Sequence, residues 1–429
     1  MDFKRGFLNK AKAPKPAKKC IHDQDTPPKS GDPHGLVGAP IPIPRAEKTR
    51  PEVPIYGEIP ISPDNHTTVN FVYAALPRNE HWKVWCLMLA DTRDAILALP
   101  NFPSPMLSPP PSAPRPYVVQ PAPGMGKGVF ANMDFKPGSL IMCERPLAIF
   151  PAMIPCGIDG TPHPQISFKA FVEWMQPEYR KVFCGLYNCK STAKDDLLGI
   201  VNTNCIYVGR LPGSYNGLYG AVGIELSRFN HSCTPNAQER WDLQSMSFHV
   251  RALRPIKKGE QIFISYCSLL RSRTERQQEL SQKYGFKCAC ECCSLPPKDS
   301  ARSDARRGAL DAAHVKLYEL DHQERDKAFQ AWVKDLSLPD NHFAKHSQGL
   351  LDIIVAEGLY NKTLWVAHAE TVCKAQSALG NAKGIIGVAK TAAMLSLVED
   401  GQDGGWNMVA TDPEKTAWWG LRKKYSLEK

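Results

Sequence analysis

Apolar and polar positions change rhythm several times along this chain. From Tyr117 to about Tyr266, short β-rich runs are parted by glycine and proline. Leu140-Ile141-Met142, Phe248-His249-Val250 and Gln261-Ile262-Phe263-Ile264-Ser265-Tyr266 are examples, and each predicts a strand. Among them, Ile166 to Asn188 and Leu197 to Asn202 read as helical, an insert spanning about 151–204. Arg271 to Tyr284 predicts a short polar helix that feeds a cysteine-rich knot. After Pro297 apolar residues recur at helical spacing through Leu310–Val333, Leu350–Leu359, Leu364–Leu379 and Ile385–Leu397, with Gly380 as a break. That pattern predicts a layer of helices, and it contains no clean repeat of about 34 residues.

The N-terminal third is different. Of the 37 prolines, 23 lie in residues 1–123, which predicts extended or disordered chain. Residues 1–65 are expected to form a disordered, basic, proline-rich tail. Its run Lys10-Ala-Lys12-Ala-Pro-Lys15-Pro-Ala-Lys18-Lys19 reads either as a solvated terminus or as a nuclear-import or nucleic-acid-binding tail; Asp2 and the lack of serine argue against a mitochondrial address. Across 66–103, Trp82, Trp85, Met88, Leu89, Ile96 and Leu99 recur at helix-like intervals and predict a packed helical segment. Its tryptophans are expected to bury area rather than to form a ligand site. Residues 104–116 read as a stiff proline-rich linker.

With 429 residues the chain has room for two or three domains. Hydrophobic residues at 43% and charged residues at 22% fit a soluble chain. No run reaches the ~18 consecutive apolar residues of a membrane span; Gly384 to Leu397 is too short and contains Lys390. The start, Met1-Asp2-Phe3-Lys4-Arg5, predicts no secretory signal. A net charge of 53 − 43 = +10 permits an acidic partner without requiring one. The basic stretch Arg251, Arg254, Lys257 and Lys258 reads as a solvated turn rather more readily than as a substrate groove.

Fourteen cysteines in a chain of this kind point to a reducing compartment, where clustered thiols usually hold metal. The cluster Phe286-Lys287-Cys288-Ala289-Cys290-Glu291-Cys292-Cys293 can direct Cys288, Cys290 and Cys293 to one tetrahedral zinc ion, and Cys292 could replace Cys293. So short a segment cannot comfortably supply four ligands. The fourth is expected from elsewhere, with Cys233 in Asn230-His231-Ser232-Cys233 as the candidate.

Four motifs follow in order: Gly126-Lys127-Gly128-Val129-Phe130-Ala131; Ser227-Arg228-Phe229-Asn230-His231-Ser232-Cys233-Thr234-Pro235-Asn236; Gly259-Glu260-Gln261-Ile262 ending in Tyr266; and the cysteine cluster. Together they resemble a SET domain with its post-SET zinc site, the fold of S-adenosylmethionine-dependent protein lysine methyltransferases. The form Phe-x-Cys-x-Cys-x-x-Cys and the helical C-terminus are most similar to the SET-and-MYND subgroup and its fungal relatives. One departure matters. Cys156, Cys184 and Cys189 precede Cys205 without the paired Cys-x-x-Cys spacings of a MYND finger, so no such finger is expected.

The resemblance implies an α+β chain. A β-rich SET domain with a pseudoknot-like core would occupy 117–286, a post-SET zinc segment 287–297 and a helical domain 298–429. It implies Tyr266 as the catalytic residue, whose hydroxyl orients the substrate amine and the transferring methyl. It implies S-adenosyl-L-methionine contacts at Asn230 and His231, and, by motif alignment, at Met125, Lys127, Asn204, Ser227, Tyr266, Tyr284 and Phe286. It implies a zinc(2+) site of Cys233, Cys288, Cys290 and Cys293. The expected partner is a protein with a target lysine, histone tails among the candidates, in the nucleus or cytoplasm. A catalytically silent SET scaffold that binds partners through its helical C-terminus is the alternative. Direct nucleic-acid binding has no recognised fold behind it.

Overall fold

The computed structural model describes residues 52–62, 65–78, 82–107, 114–152, 168–190, 196–213, 218–319 and 322–427. The chain divides into two interleaved units. One comprises Met1–Phe130, Glu144–Phe229 and Trp241–Phe248; the other comprises Ala131–Cys143, Asn230–Arg240 and His249–Lys429. Strands and helices mix in the α+β manner expected, with a helical C-terminal region.

The first unit is built on a six-stranded sheet. β1 (Val53–Ser62) and β2 (Asn65–Leu76) form an antiparallel hairpin, and β3 (Val84–Leu89) pairs antiparallel with β2. Helix α1 (Ala90–Leu97) follows directly. A second hairpin joins β4 (Tyr117–Ala122) to β5 (Gly126–Ala131). The second half of the sheet is β7 (Ala148–Pro151), β8 (Cys205–Arg210) and β9 (Leu218–Val222). With β7 parallel to β3, the strand order is β1-β2-β3-β7-β9-β8.

Two expectations for the N-terminal third are corrected here. Residues 53–62, assigned to a disordered tail, are strand β1, whereas 1–51 lie outside the described residues. β1 is an edge strand, the one place in a sheet where Pro54 and Pro60 cost no ladder hydrogen bond on the open side. The helical segment expected over 66–103 is two strands and one short helix, α1. Val84-Trp-Cys-Leu-Met-Leu89 is buried at every residue. A strand covered on both faces presents a continuous apolar run, which carries no period to separate it from a helix. The linker expected at 104–116 lies outside the described residues over 108–113.

The helical insert is present as α2 (Phe168–Trp174), α3 (Pro177–Cys184) and α4 (Leu197–Asn204). Its aromatic face covers β3. Trp85, 1% exposed, meets Trp174 and Tyr179 edge-on at ring-centroid distances of 5.0 and 5.4 Å.

In the second unit, β10 (Asn230–His231) runs parallel to β13 (Gln261–Ile264), pairing Asn230 with Phe263 and His231 with Ile264. Residues 140–143 of β6 (Leu140–Glu144), 237–240 of β11 (Ala237–Asp242) and 249–252 of β12 (Ser247–Ala252) form a three-stranded sheet with β12 central. α5 (Arg273–Tyr284) starts in a capping box: Ser272 accepts from the Glu275 amide and the Glu275 carboxylate accepts from the Ser272 amide. Gly285, at φ +73°, ends it in a left-handed turn that favours glycine. The helical region is α6 (Pro297–Glu319), α7 (His322–Lys334), α8 (Lys345–Glu357), α9 (Lys362–Ala378), α10 (Ala382–Asp400), α11 (Trp406–Thr411) and α12 (Leu421–Leu427). Leu350, Ile354, Trp365, Val372, Ala392 and Leu395 lie in its shared core.

Candidate functional site

The Asn-His-Ser-Cys-x-Pro-Asn motif is held to β13 by its own polar groups. The Ser232 amide donates to the Ile264 carbonyl at 3.1 Å. Asn236, 1% exposed, acts as a side-chain peptide: Nδ2 donates to the Gln261 carbonyl at 2.9 Å and Oδ1 accepts from the Phe263 amide at 2.7 Å. Two residues past the end of β13 stands Tyr266.

His231 joins Tyr266 to the cysteines. Its Nδ1 accepts from the Tyr266 backbone amide at 3.0 Å, while Nε2 lies 3.3 Å from Cys233 Sγ. Because Nδ1 faces an N–H donor it carries no proton, so the ring proton sits on Nε2 and points at sulfur. Around this histidine the rings cluster. Tyr266 lies 5.4 Å from His231 and 5.0 Å from Tyr284, and Phe286 lies 6.4 Å from both His231 and Tyr284, centroid to centroid. Tyr266 and Tyr284 are buried; Phe286 is half-buried and keeps part of its ring open.

Cys233, Cys288, Cys290 and Cys293 place their sulfurs within 4.8 Å of one another, with Cys233 and Cys293 3.6 Å apart. A tetrahedral zinc with bonds of about 2.3 Å requires sulfur–sulfur edges of about 3.8 Å, so the set fits that ion. Electrostatics agree. Cys290 is pushed below its ordinary value by hydrogen bonds, first from Cys233 and then from Cys288 and Cys293. Cys288 and Cys293 are pushed up, each led by its contact with Cys233. Four thiolates this close together need a positive centre. Gln277 on α5 supports the cluster, donating to the Cys288 carbonyl at 2.6 Å and accepting from the Cys288 amide at 2.9 Å.

Spacing left Cys292 and Cys293 interchangeable, and the geometry separates them. Cys292 is outside the four-sulfur set and instead accepts from Arg276 Nη2 at 3.4 Å and Arg307 Nη2 at 3.2 Å. Burial raises the Cys292 thiol, opposed by Arg307 and Arg276. For Arg276, burial works against the charge, but Cys233 and Cys292 hold the guanidinium above its ordinary value.

The remaining expected residues lie in the first unit. Met125 is exposed in the β4–β5 turn, whose Gly126 has φ +73° and open space where a Cβ would stand; Lys127 follows. Asn204 is buried and its Nδ2 is committed to the carbonyls of Tyr187 (2.6 Å) and Ile200 (2.8 Å). Ser227 Oγ donates to the Gly223 carbonyl at 2.6 Å. Asn204 thus ties the end of α4 to the segment after α3, and Ser227 braces its own turn. The Ser227 turn has a further anchor that sequence reading missed: the buried Glu144 carboxylate accepts from the amides of Ile224 (2.6 Å), Glu225 (3.1 Å) and Leu226 (2.7 Å). Burial, then the neighbouring Glu225 charge, pushes Glu144 up to about 7 against those bonds.

Residues 126–267 match the SET domain family model, so the chain carries a SET domain. The histone-lysine N-methyltransferase set5 of Schizosaccharomyces pombe is 30% identical over 195 residues, 45% of this chain and 56% of its own. The N-lysine methyltransferase SMYD2 of Homo sapiens is 34% identical over 90 residues, 21% of this chain and 20% of its own. The chain therefore spans about half, or less, of the curated relatives it matches. A solved SET domain of LSMT bound to lysine and AdoHcy covers 74% of this chain and 92% of its own at 13% identity and a TM-score of 0.29, a likeness too loose to carry weight.

Proposed function

We propose that this SET domain transfers a methyl group from S-adenosyl-L-methionine to the side-chain amine of lysine in a protein substrate. The observation that carries the reading is the Tyr266–His231–Cys233 connection. The tyrosine of the third motif is tied by its backbone to the histidine of the second, and that histidine to the thiol cluster. The lysine methyltransferase names of the relatives support it.

The chemistry asks for these groups. A lysine ammonium has no lone pair, and with an ordinary pKa near 10.4 only ~0.1% is neutral at pH 7.4. Burial beside Tyr266 and Tyr284 strips water from an amine, and that loss of solvation favours its neutral form. The Tyr266 hydroxyl is assigned to orient the reacting amine, with rate gained through position and exclusion of water. S-adenosyl-L-methionine would supply an electrophilic methyl on a positive sulfur. Asn230 and His231 are proposed to hold it. Phe286 offers a partly open ring to stack on adenine, with Tyr284 behind it. Met125, Lys127, Asn204 and Ser227 are proposed as further contacts on motif alone. Zinc at Cys233, Cys288, Cys290 and Cys293 would be structural, since four protein ligands close the coordination sphere. The proposed setting is the nucleus or cytoplasm; among the described residues no helix is long and apolar enough to cross a membrane.

The test is a peptide-array and protein-panel methylation assay with labelled cofactor, run beside Tyr266→Phe. Wild type should label lysine substrates. The variant should lose about 10²-fold or more in rate, the scale of one positioned polar group at a reacting centre, while calorimetry finds cofactor binding within a few-fold. Unchanged turnover removes Tyr266 from the mechanism. Cofactor binding without any labelling in wild type would instead support a silent scaffold.

A further inference from the structure

One buried cysteine takes no part in the four-sulfur set and is still in reach of it. Cys267 follows Tyr266 directly and is 3% exposed. Its sulfur, Cys233 Sγ and a ring nitrogen of His231 all lie within 4.8 Å of one another. This group and the four-thiol group share only Cys233, so Cys267 adjoins that sulfur without standing among the other three. The turn after β13 is what brings it there. Ser265 Oγ donates to the Cys267 carbonyl at 2.7 Å, and the Tyr266 amide donates to His231 Nδ1 at 3.0 Å. Cys292, also outside the set, has its sulfur occupied by Arg276 and Arg307 instead.

In a loaded site four sulfurs bind the metal, and Cys267 keeps its thiol. A free thiol beside a ligand sulfur is the arrangement in which oxidation can take a ligand away. Cys288, Cys290 and Cys293 share one stretch of six residues, whereas Cys233 alone comes from the Asn230–Cys233 motif. Losing Cys233 therefore frees that stretch from the motif, and no other single ligand does so. With a hydroperoxide as oxidant the step balances. Hydrogen peroxide converts the Cys267 thiol to a sulfenic acid, with one water formed. The Cys233 thiolate leaves the metal and attacks that sulfur; a sulfur–sulfur bond forms, and the departing hydroxide takes up a proton as a second water. Two sulfurs lose one electron each, the broken oxygen–oxygen bond accepts both, and three ligands stay on the metal.

We propose that Cys233 and Cys267 form a reversible redox switch, in which a disulfide between them withdraws one ligand from the metal site. The proposal rests on the zinc reading given above. It also reaches Tyr266. Drawing Cys267 onto Cys233 shifts the backbone of the preceding residue, whose amide is held by His231, so oxidation disturbs the tyrosine and the metal together. Both sulfurs are buried, so a small hydroperoxide, not a bulky disulfide, is the oxidant. A thiol reductant reverses the bond by exchange and restores both thiols.

The experiment treats the full, zinc-loaded chain with hydrogen peroxide, comparing wild type with Cys267→Ala and Cys267→Ser. A chromogenic chelator follows zinc release, and peptide mass mapping without reductant locates the disulfides. In wild type, release should keep pace with one linked pair, Cys233 to Cys267, and a thiol reductant with added zinc should undo both. The two variants should release zinc several-fold more slowly at the same peroxide dose. A map whose disulfides leave Cys267 out would overturn the proposal while the zinc reading stands, and so would variants that release zinc at the wild-type rate. If neither variant folds, the wild-type map alone decides. A wild type that takes up no zinc under reducing conditions removes the zinc reading, and this inference with it.

Discussion

Replacing Asn236 by alanine should destabilise the protein more than most core substitutions. The side chain is 1% exposed, and each end of its amide satisfies a backbone group of β13, the Gln261 carbonyl and the Phe263 amide. Alanine removes both partners and leaves nothing of suitable length behind. An unsatisfied buried group costs about 1–3 kcal/mol, so two give about 2–6 kcal/mol, a large share of the 5–15 kcal/mol that usually holds a domain together. Urea unfolding of the full chain, followed by tryptophan fluorescence, measures the loss. Asn236→Asp offers a control. It keeps an acceptor for the Phe263 amide but turns a second oxygen toward the Gln261 carbonyl, so it should be little better than alanine. A loss under about 1 kcal/mol for alanine would refute the reasoning, because it would mean that water replaces the amide at both ends.

Two further outcomes follow from the same geometry. Purified protein should contain about one zinc per chain, and Cys290→Ser should release it and loosen the segment after Tyr284; metal analysis of well-folded wild type that finds none, or three, contradicts this. Glu144, raised by burial from 4.5 to about 7, should contribute stability that is complete below about pH 4.5 and lost as pH rises through 7, since the folded state binds that proton more tightly. The span corresponds to about 3 kcal/mol. Glu144→Gln should flatten the pH dependence of the urea midpoint between pH 5 and 8, whereas curves parallel to wild type would exclude Glu144 as its source.

The site was legible where chemistry demands particular residue types in close order. Four thiols, the Asn-His-Ser-Cys segment and Tyr266 stand out because metal ligation and a tight polar turn tolerate few substitutes, and the four sulfurs meet as spacing and the Asn230–Cys233 motif suggested. Choosing between Cys292 and Cys293 depends on which side chain turns toward Cys233, and adjacent residues give no period to read. Arg276 and Arg307 were hidden for another reason: they share the buried faces of α5 and α6 with Leu280, Tyr284, Leu310 and Ala313, and in sequence an arginine of a mostly polar helix looks like any solvated one. Glu144 ends a strand whose apolar neighbours gave no hint of three amides waiting 80 residues later. In the fold, the strands and C-terminal helices of the later chain follow their alternation. β1 and β3 do not, one because edge position excuses proline, the other because burial on both faces erases alternation.

The interleaving of the two units bears on how the chain is made. Its path crosses between them after residues 130, 143, 229, 240 and 248, so neither unit is a continuous stretch that a gene fragment could encode. During synthesis the first unit lacks a piece until residue 248 has left the ribosome, and by then parts of the second have already emerged. Native contacts of such long sequence separation form slowly, because chain entropy is lost before they repay it. The nascent chain should therefore spend an appreciable time with Cys233 made and Cys288, Cys290 and Cys293 still to come. In that interval the protein would be most exposed to chaperones and to oxidation of an unpartnered thiol. Pulse-chase proteolysis should find no protected N-terminal half, and resistance should arise in one late step after residue 293 is free.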